Sequence, residues 1–228
     1  MNKPNSSNSV NSTSLHFHSD SCKIQRCTLK RTFDVCFSLV VIILLMPLYL
    51  LLAAIIKLTS DGNVIYYQMR IGRGGIPFRC YKFRTMYQNA EDILNKILAS
   101  DQIKQKEWDE THKLKDDPRV TRIGWFLRKS SLDELPQFWN ALRGDLSVVG
   151  PRPVVEEEII KHFGYKAQKI FSIRPGITGL WQISGRSDTS YSIRITLDEY
   201  YVGNRTFLMD LKIIALTIPS IILKKGAY

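Results

Sequence analysis

Two adjacent carboxylates, Asp133 and Glu134, stand in the run Ser131-Leu132-Asp133-Glu134-Leu135-Pro136-Gln137, with cations on either side of it. Adjacent carboxylates repel each other unless a cation lies between or beside them. Arg128 comes five residues before Asp133, and Arg152 sits in Gly150-Pro151-Arg152-Pro153. Two prolines restrict the backbone around that arginine. A restrained guanidinium suits bidentate recognition of phosphate. Lys82 and Arg84 add further positive charge. Such a set fits chemistry on a phosphate ester. One carboxylate would act as nucleophile, and Mg2+, a hard ion with oxygen ligands, would bridge carboxylate and phosphate.

Each feature also has an ordinary structural reading. Ser131 and Glu134 match a capping box, which satisfies free N–H groups at a helix start. Arg152 equally suits an ion pair on a turn, and Lys82 and Arg84 suit a solvated strand face. The functional reading uses the same expected helix start. Its dipole would keep Asp133 ionised, and its amides would hold an incoming phosphate.

These residues need elements to position them. The chain has 228 residues, 44% of them hydrophobic, which excludes a disordered chain and allows one compact domain of modest size. Lys and Arg number 32 against 21 Asp and Glu, a net charge of +11. Part of this charge lies in two clusters, Lys3 to Arg31 and Arg70 to Arg84, which flank one apolar stretch. Cations beside such a stretch favour anionic headgroups and the cytoplasmic side. No nucleic-acid partner is expected, because no nucleic-acid motif is visible. Cys22, Cys27, Cys36 and Cys80 lack CxxC spacing, and the histidines do not join them at zinc spacing. They read as structural thiols.

Residues 1–28 are rich in Asn and Ser and read as a disordered polar tail. Val35 to Ile56 is 22 residues without a charge. At 1.5 Å per residue it is about 33 Å long, enough to cross a bilayer core. Pro47 near its middle removes a backbone hydrogen bond and bends or breaks the helix. Two geometries fit, a kinked spanning helix and a helix that enters, turns at Met46-Pro47 and leaves on the same face. Basic clusters at both ends favour the second.

Val64 to Met86 reads as a β-hairpin around Gly72-Arg73-Gly74-Gly75. An amphipathic surface helix is expected over 88–113, a short helix over Arg122–Lys129, and a longer one over Val154–Phe171. Leu211–Lys225 is apolar but too short to span. It reads as an interfacial or a core helix, the interfacial form favoured by Lys224 and Lys225.

Several motifs stand in an order that resembles the bacterial sugar transferase family, the monotopic polyisoprenyl-phosphate hexose-1-phosphate transferases. They are Lys30-Arg31-Thr32-Phe33-Asp34, Tyr81-Lys82-Phe83-Arg84-Thr85-Met86, Asp117-Pro118-Arg119-Val120-Thr121, the Asp133-Glu134 run, Gly150-Pro151-Arg152-Pro153, and Arg174-Pro175-Gly176-Ile177-Thr178-Gly179. The resemblance covers about residue 30 to the C-terminus.

It implies transfer of a sugar 1-phosphate from a UDP-sugar to undecaprenyl phosphate, with release of UMP. This would start exopolysaccharide, capsule or O-antigen assembly at the cytoplasmic face of the bacterial inner membrane. It implies Asp133 as the nucleophile of a covalent phosphosugar intermediate and Glu134 as the Mg2+-associated acid. Lys82, Arg128 and Arg152 become phosphate-binding cations, and Asp210 in Phe207-Leu208-Met209-Asp210 a further active-site acid. Arg186 is a candidate nucleotide contact. The implied fold is mainly α with a small β-hairpin. It is a monotopic membrane protein with an N-terminal re-entrant helix broken at Pro47 and interfacial amphipathic helices. Its parts are a tail over 1–28, a membrane helix-hairpin over 29–60, and a cytosolic or interfacial catalytic domain over 61–228. Membrane lipids are expected partners, and a homodimer is left open. Galactose is the expected sugar, with glucose or an N-acetylated amino sugar as alternatives. A non-catalytic membrane-anchored binding module is the rival outside enzymology.

Overall fold

A computed structural model describes residues 24–111, 114–185 and 190–222. Helix α1 (Ile24–Leu44) and helix α2 (Met46–Thr59) take up the apolar stretch. Helix α1 starts inside the segment read as a polar tail. Residues 1–23, with Cys22, lie outside the described residues.

The two helices meet at Leu45 with a bend of 62°. Pro47 lies in the first turn of α2, where its fixed φ suits a helix start and its missing N–H leaves no intrahelical bond unmade. The hydrogen-bonded chain stays almost continuous. The Leu45 N–H donates to Val41 at 2.9 Å, and the Tyr49 N–H donates to Leu45 at 2.8 Å. The expected break is therefore present as a bend, a geometry that fits a broken span or a re-entrant pair. Among the described residues no single helix is long and apolar enough to cross a membrane, whereas this bent pair together passes by length and composition. Leu39, Val40, Ile43, Leu44, Leu50 and Leu51 are exposed on it, an apolar surface of the kind that meets a partner or lipid.

The expected hairpin is present. Strand β1 (Ile65–Ile71) pairs antiparallel with β2 (Pro77–Phe83), Tyr66 opposite Lys82. Helix α6 (Gln137–Arg143) serves the backbone of β2 through one side chain. Asn140 accepts from the Tyr81 N–H at 2.9 Å and donates to the Arg79 carbonyl at 2.7 Å. These two bonds satisfy groups that an unpaired strand edge leaves open.

The single helix expected over 88–113 is two, α3 (Ala90–Ser100) and α4 (Gln102–Thr111). The break falls at Asp101, whose carboxylate accepts from the N–H groups of Ile103 and Lys104 at 2.9 and 3.1 Å. That local bond competes with a continuous helix. Helix α5 (Arg122–Ser130) starts at Thr121, whose hydroxyl accepts from the Gly124 N–H at 2.9 Å. Gly124 has a packing reason as well, since a Cβ there would lie 1.9 Å from the Thr85 carbonyl oxygen. Helix α5 thus sits directly on the end of the hairpin.

The long helix expected over Val154–Phe171 is broken. It consists of a single turn α7 (Glu156–Glu158), a π-turn over Ile159–Phe163, and α8 (Lys166–Ile170). Gly164, at φ +50°, ends the π-turn. Strand β3 (Ser147–Val149) pairs in parallel with β4 (Gly176–Thr178), inside a region read only as turn-rich. Helices α9 (Leu180–Ile183), α10 (Tyr191–Asn204) and α11 (Phe207–Ile222) follow.

Several small clusters form the core. Leu52, Ile56, Phe83 and Leu127 lock α2, β2 and α5 together. Val148, Val149, Tyr201 and Ile213 lock β3, α10 and α11. Each fully buried aliphatic side chain contributes about 1.5–3 kcal/mol. The first cluster fixes the strand that carries Lys82, and the second fixes the strand that leads into Arg152.

Candidate active site

Asp133 and Glu134 occupy one 3-10 turn, Leu132–Glu134, between α5 and α6. The Ser131 backbone is left-handed, φ 57°, and ends α5. It is the one residue other than glycine with positive φ among the described residues, a conformation that costs about 1 kcal/mol. The Ser131 side chain makes no cap bond to the turn that follows. The capping box expected for Ser131 and Glu134 is therefore not formed.

The shift at Asp133 is the reverse of what the expected helix start implied. Burial pushes its carboxyl up to about 6, and the adjacent Glu134 charge adds to that, while Lys82, Arg128 and Arg152 pull it down. Glu134 goes the other way. Burial would raise it, but Lys82 and Arg152 outweigh burial and hold it at about 2. The distances give the reason. Glu134 Oε1 lies 2.8 Å from Lys82 Nζ and 3.3 Å from an Arg152 guanidinium nitrogen. Lys82 is 3.7 Å from Asp133 Oδ2, and no donor among the described residues hydrogen-bonds to Asp133.

Arg128 reaches the cluster from α5. Its Nε donates to Thr85 Oγ1 at 2.9 Å, and its charge acts on Asp133. The structure thus brings Lys82, Arg128 and Arg152 around the carboxylate pair. Arg84 is not on a solvated strand face: half-buried just past the end of β2, it donates to the Ser60 carbonyl and hydroxyl at 2.7 and 2.8 Å at the end of α2. Asp210 does not join the cluster. It accepts from the Tyr201 hydroxyl at 2.6 Å and pairs with Lys30 of α1 at 3.2 Å. Arg186 lies outside the described residues.

Sequence reading missed a neighbouring group. Arg194 of α10 stacks 4.7 Å from the Trp181 ring centroid, and Arg152 lies 6.0 Å from the same ring. Glu158 gathers Arg194 at 3.2 Å, Arg70 at 3.3 Å and the Tyr191 hydroxyl at 2.9 Å. Asp198 is 1% exposed, 3.9 Å from Arg194, and pushed up to about 7 by burial. The available signal was the i, i+4 spacing of Arg194 and Asp198, which by itself reads as a surface pair.

No group of three or more His, Cys, Asp or Glu side chains is gathered for a metal among the described residues. Asp133 and Glu134 supply two carboxylates, and Asp133 has no hydrogen-bond donor among the described residues. Mg2+ is commonly held by one or two carboxylates together with substrate phosphate oxygens, and this donor set fits that pattern. Separately, an apolar groove of about 320 Å³ is lined by Ile42, Tyr49, Ile65, Tyr81, Pro136 and Trp139. It holds no carboxylate or cation and is not where phosphate chemistry would occur.

Comparison with known proteins gives a consistent picture. The family model described as bacterial sugar transferase matches residues 25–224. The exopolysaccharide production protein ExoY of Sinorhizobium fredii is 47% identical over 199 residues, 87% of this chain and 88% of that protein. The undecaprenyl-phosphate galactose phosphotransferase of Salmonella typhimurium is 45% identical over 201 residues, 88% of this chain and 42% of that protein. The UDP-glucose:undecaprenyl-phosphate glucose-1-phosphate transferase of Klebsiella pneumoniae is 40% identical over 208 residues, 87% of this chain and 41% of that protein. The chain therefore spans most of the first relative and less than half of the other two.

Proposed function

Because the chain belongs to the bacterial sugar transferase family, we propose that it is a phosphoglycosyl transferase. It moves hexose 1-phosphate from a UDP-sugar to undecaprenyl phosphate and releases UMP, starting the assembly of an exopolysaccharide, capsule or O-antigen. The observation that carries this reading is one carboxylate, Asp133, with no hydrogen-bond donor among the described residues, beside a second one, Glu134, that two cations hold ionised.

The chemistry follows from these groups. Ionised Asp133 attacks the β-phosphorus of the donor, the bond from that phosphorus to the bridging oxygen breaks, and UMP leaves with the electron pair. A phosphate oxygen of the lipid acceptor then attacks the same phosphorus, and the Asp133 carboxylate departs. Two in-line displacements replace one difficult transfer. Lys82, Arg128 and Arg152 neutralise charge on the phosphoryl oxygens, and the planar guanidiniums also orient them. Glu134 would hold Mg2+, which when bound adds to that neutralisation. Raising the Asp133 carboxyl makes the carboxylate more basic, and so a stronger nucleophile once ionised.

The proposed site of action is the cytoplasmic face of the bacterial inner membrane, with the α1–α2 pair re-entrant at headgroup depth. Exposed Trp125 and Phe126 on α5, with Lys129 4.1 Å from the Trp125 ring centroid, support an interfacial helix. Galactose is the proposed sugar. The relative named for galactose is 45% identical and the one named for glucose 40%.

The test incubates purified protein with Mg2+, undecaprenyl phosphate and a panel of UDP-sugars, and identifies the nucleotide formed. UMP is expected. Release of UDP would indicate sugar transfer without phosphate, and release of neither would indicate a binding module.

A further inference from the structure

Asp210 is 3% exposed and lies in a chain of polar groups that the proposed reaction does not use. The Tyr201 hydroxyl lies 2.6 Å from Asp210 Oδ1 and 3.2 Å from the Val149 carbonyl. Lys30 of α1 pairs with Asp210 at 3.2 Å and with Asp34 at 2.8 Å. Asp34 in turn accepts from the Ser147 hydroxyl at 2.8 Å and from the Val148 N–H at 3.0 Å. Ser147, Val148 and Val149 are the whole of β3. Every residue of that strand is therefore held, one side through Asp34 and the other through Tyr201.

Strand β3 runs directly into Gly150-Pro151-Arg152. The Gly150 N–H donates to Thr178 at 2.9 Å, and the Pro151 carbonyl accepts from the Gly176 N–H at 2.8 Å. Two prolines leave the loop little freedom of its own, so where β3 sits decides where Arg152 sits. Unpaired buried carboxylates are costly, which gives this network one tight arrangement. A displacement of about 1 Å at a phosphate-orienting group is enough to slow a transfer markedly.

We propose that Asp210 is a positioning residue. With Lys30, Asp34 and Tyr201 it clamps β3 to α1 and sets the place of the Arg152 guanidinium, without touching substrate. The proposal rests on the reading of Arg152 as a donor phosphate ligand.

The test is a double-mutant cycle in the full chain, using Tyr201→Phe and Arg152→Lys and reading kcat/KM for the UDP-sugar by UMP release. Tyr201→Phe removes one hydroxyl and keeps the packing. A roughly fivefold fall in kcat/KM is expected. The double variant is expected to be no worse than Arg152→Lys alone. Asp34→Asn provides a second cycle if Tyr201→Phe folds poorly. Independent, multiplying effects would overturn the clamp. So would a Tyr201→Phe variant that loses thermal stability but keeps wild-type kcat/KM, or one that is fully active while Asp210→Asn is dead. A silent Arg152→Lys would instead remove the phosphate reading of Arg152, which separates the two failures.

Discussion

The Lys82 ammonium stands 2.8 Å from Glu134 but 3.7 Å from its chain neighbour Asp133. One cation thus serves two adjacent carboxylates unequally. Glu134 is held ionised, whereas Asp133 has no hydrogen-bond donor among the described residues and its carboxyl is raised. This division suits a nucleophile beside a fixed anion.

The first expectation concerns pH and rate. Asp133 must be ionised to attack, and its carboxyl is pushed up to about 6. The kcat/KM for the UDP-sugar should level off about one unit above pH 6, be halved near pH 6, and approach a tenfold fall per pH unit well below it. A profile flat down to pH 5 would place the nucleophile elsewhere.

The same raised carboxyl has a cost in stability, with a definite sign. An ordinary aspartate in the unfolded chain loses its proton near pH 4, whereas folded Asp133 keeps it until about 6. Stability therefore falls as pH rises through that window, and the full cost is present above it. Asp133→Asn is expected to be inactive yet more stable at pH 7.5, by an amount on the order of 1–3 kcal/mol, with the gain gone below about pH 4. Chemical denaturation of both proteins at the two pH values checks this.

Arg152→Lys keeps the charge beside Glu134 but loses the planar fork. A loss of about 10- to 100-fold in kcat/KM is expected at unchanged thermal stability. Full activity would exclude bidentate recognition at this position.

Gly124→Ala tests the seat of α5. The added Cβ would overlap the Thr85 carbonyl oxygen, and Thr85 Oγ1 is also the partner of Arg128 Nε at 2.9 Å. The substitution should destabilise the protein by about 1–3 kcal/mol and lower activity by displacing Arg128. A thermal midpoint within 1–2 °C of wild type would show that the contact relaxes freely.

The sequence was informative where short-range chemistry decided the outcome. Pro47 announced the break between α1 and α2, and the Gly72–Gly75 cluster announced the hairpin that carries Lys82. Long-range pairing left little trace. Strands β3 and β4 are three residues each, too short for a periodic pattern, although their parallel pairing holds the Arg152 loop. Asp101 and Gly164 each interrupt what a hydrophobic period alone extends into one helix. At the site, Ser131 and Glu134 fit the spacing of a capping box, but the left-handed Ser131 ends one helix and opens only a single 3-10 turn. Asp210 and Asp198 lie twelve positions apart in the sequence, and the i, i+4 spacing of Asp198 with Arg194 does not by itself show which of the two faces the site. Only their partners do, Tyr201 and Lys30 for one and Arg194 for the other.

On the proposed mechanism Asp133 carries the hexose phosphate of the donor as a covalent intermediate. Mass spectrometry of the protein quenched after mixing with Mg2+ and UDP-galactose, without lipid acceptor, tests it most directly. A hexose phosphate adduct is expected on the peptide that carries Asp133, discharged when undecaprenyl phosphate is added. An enzyme that turns over normally and never carries an adduct on Asp133 would contradict it.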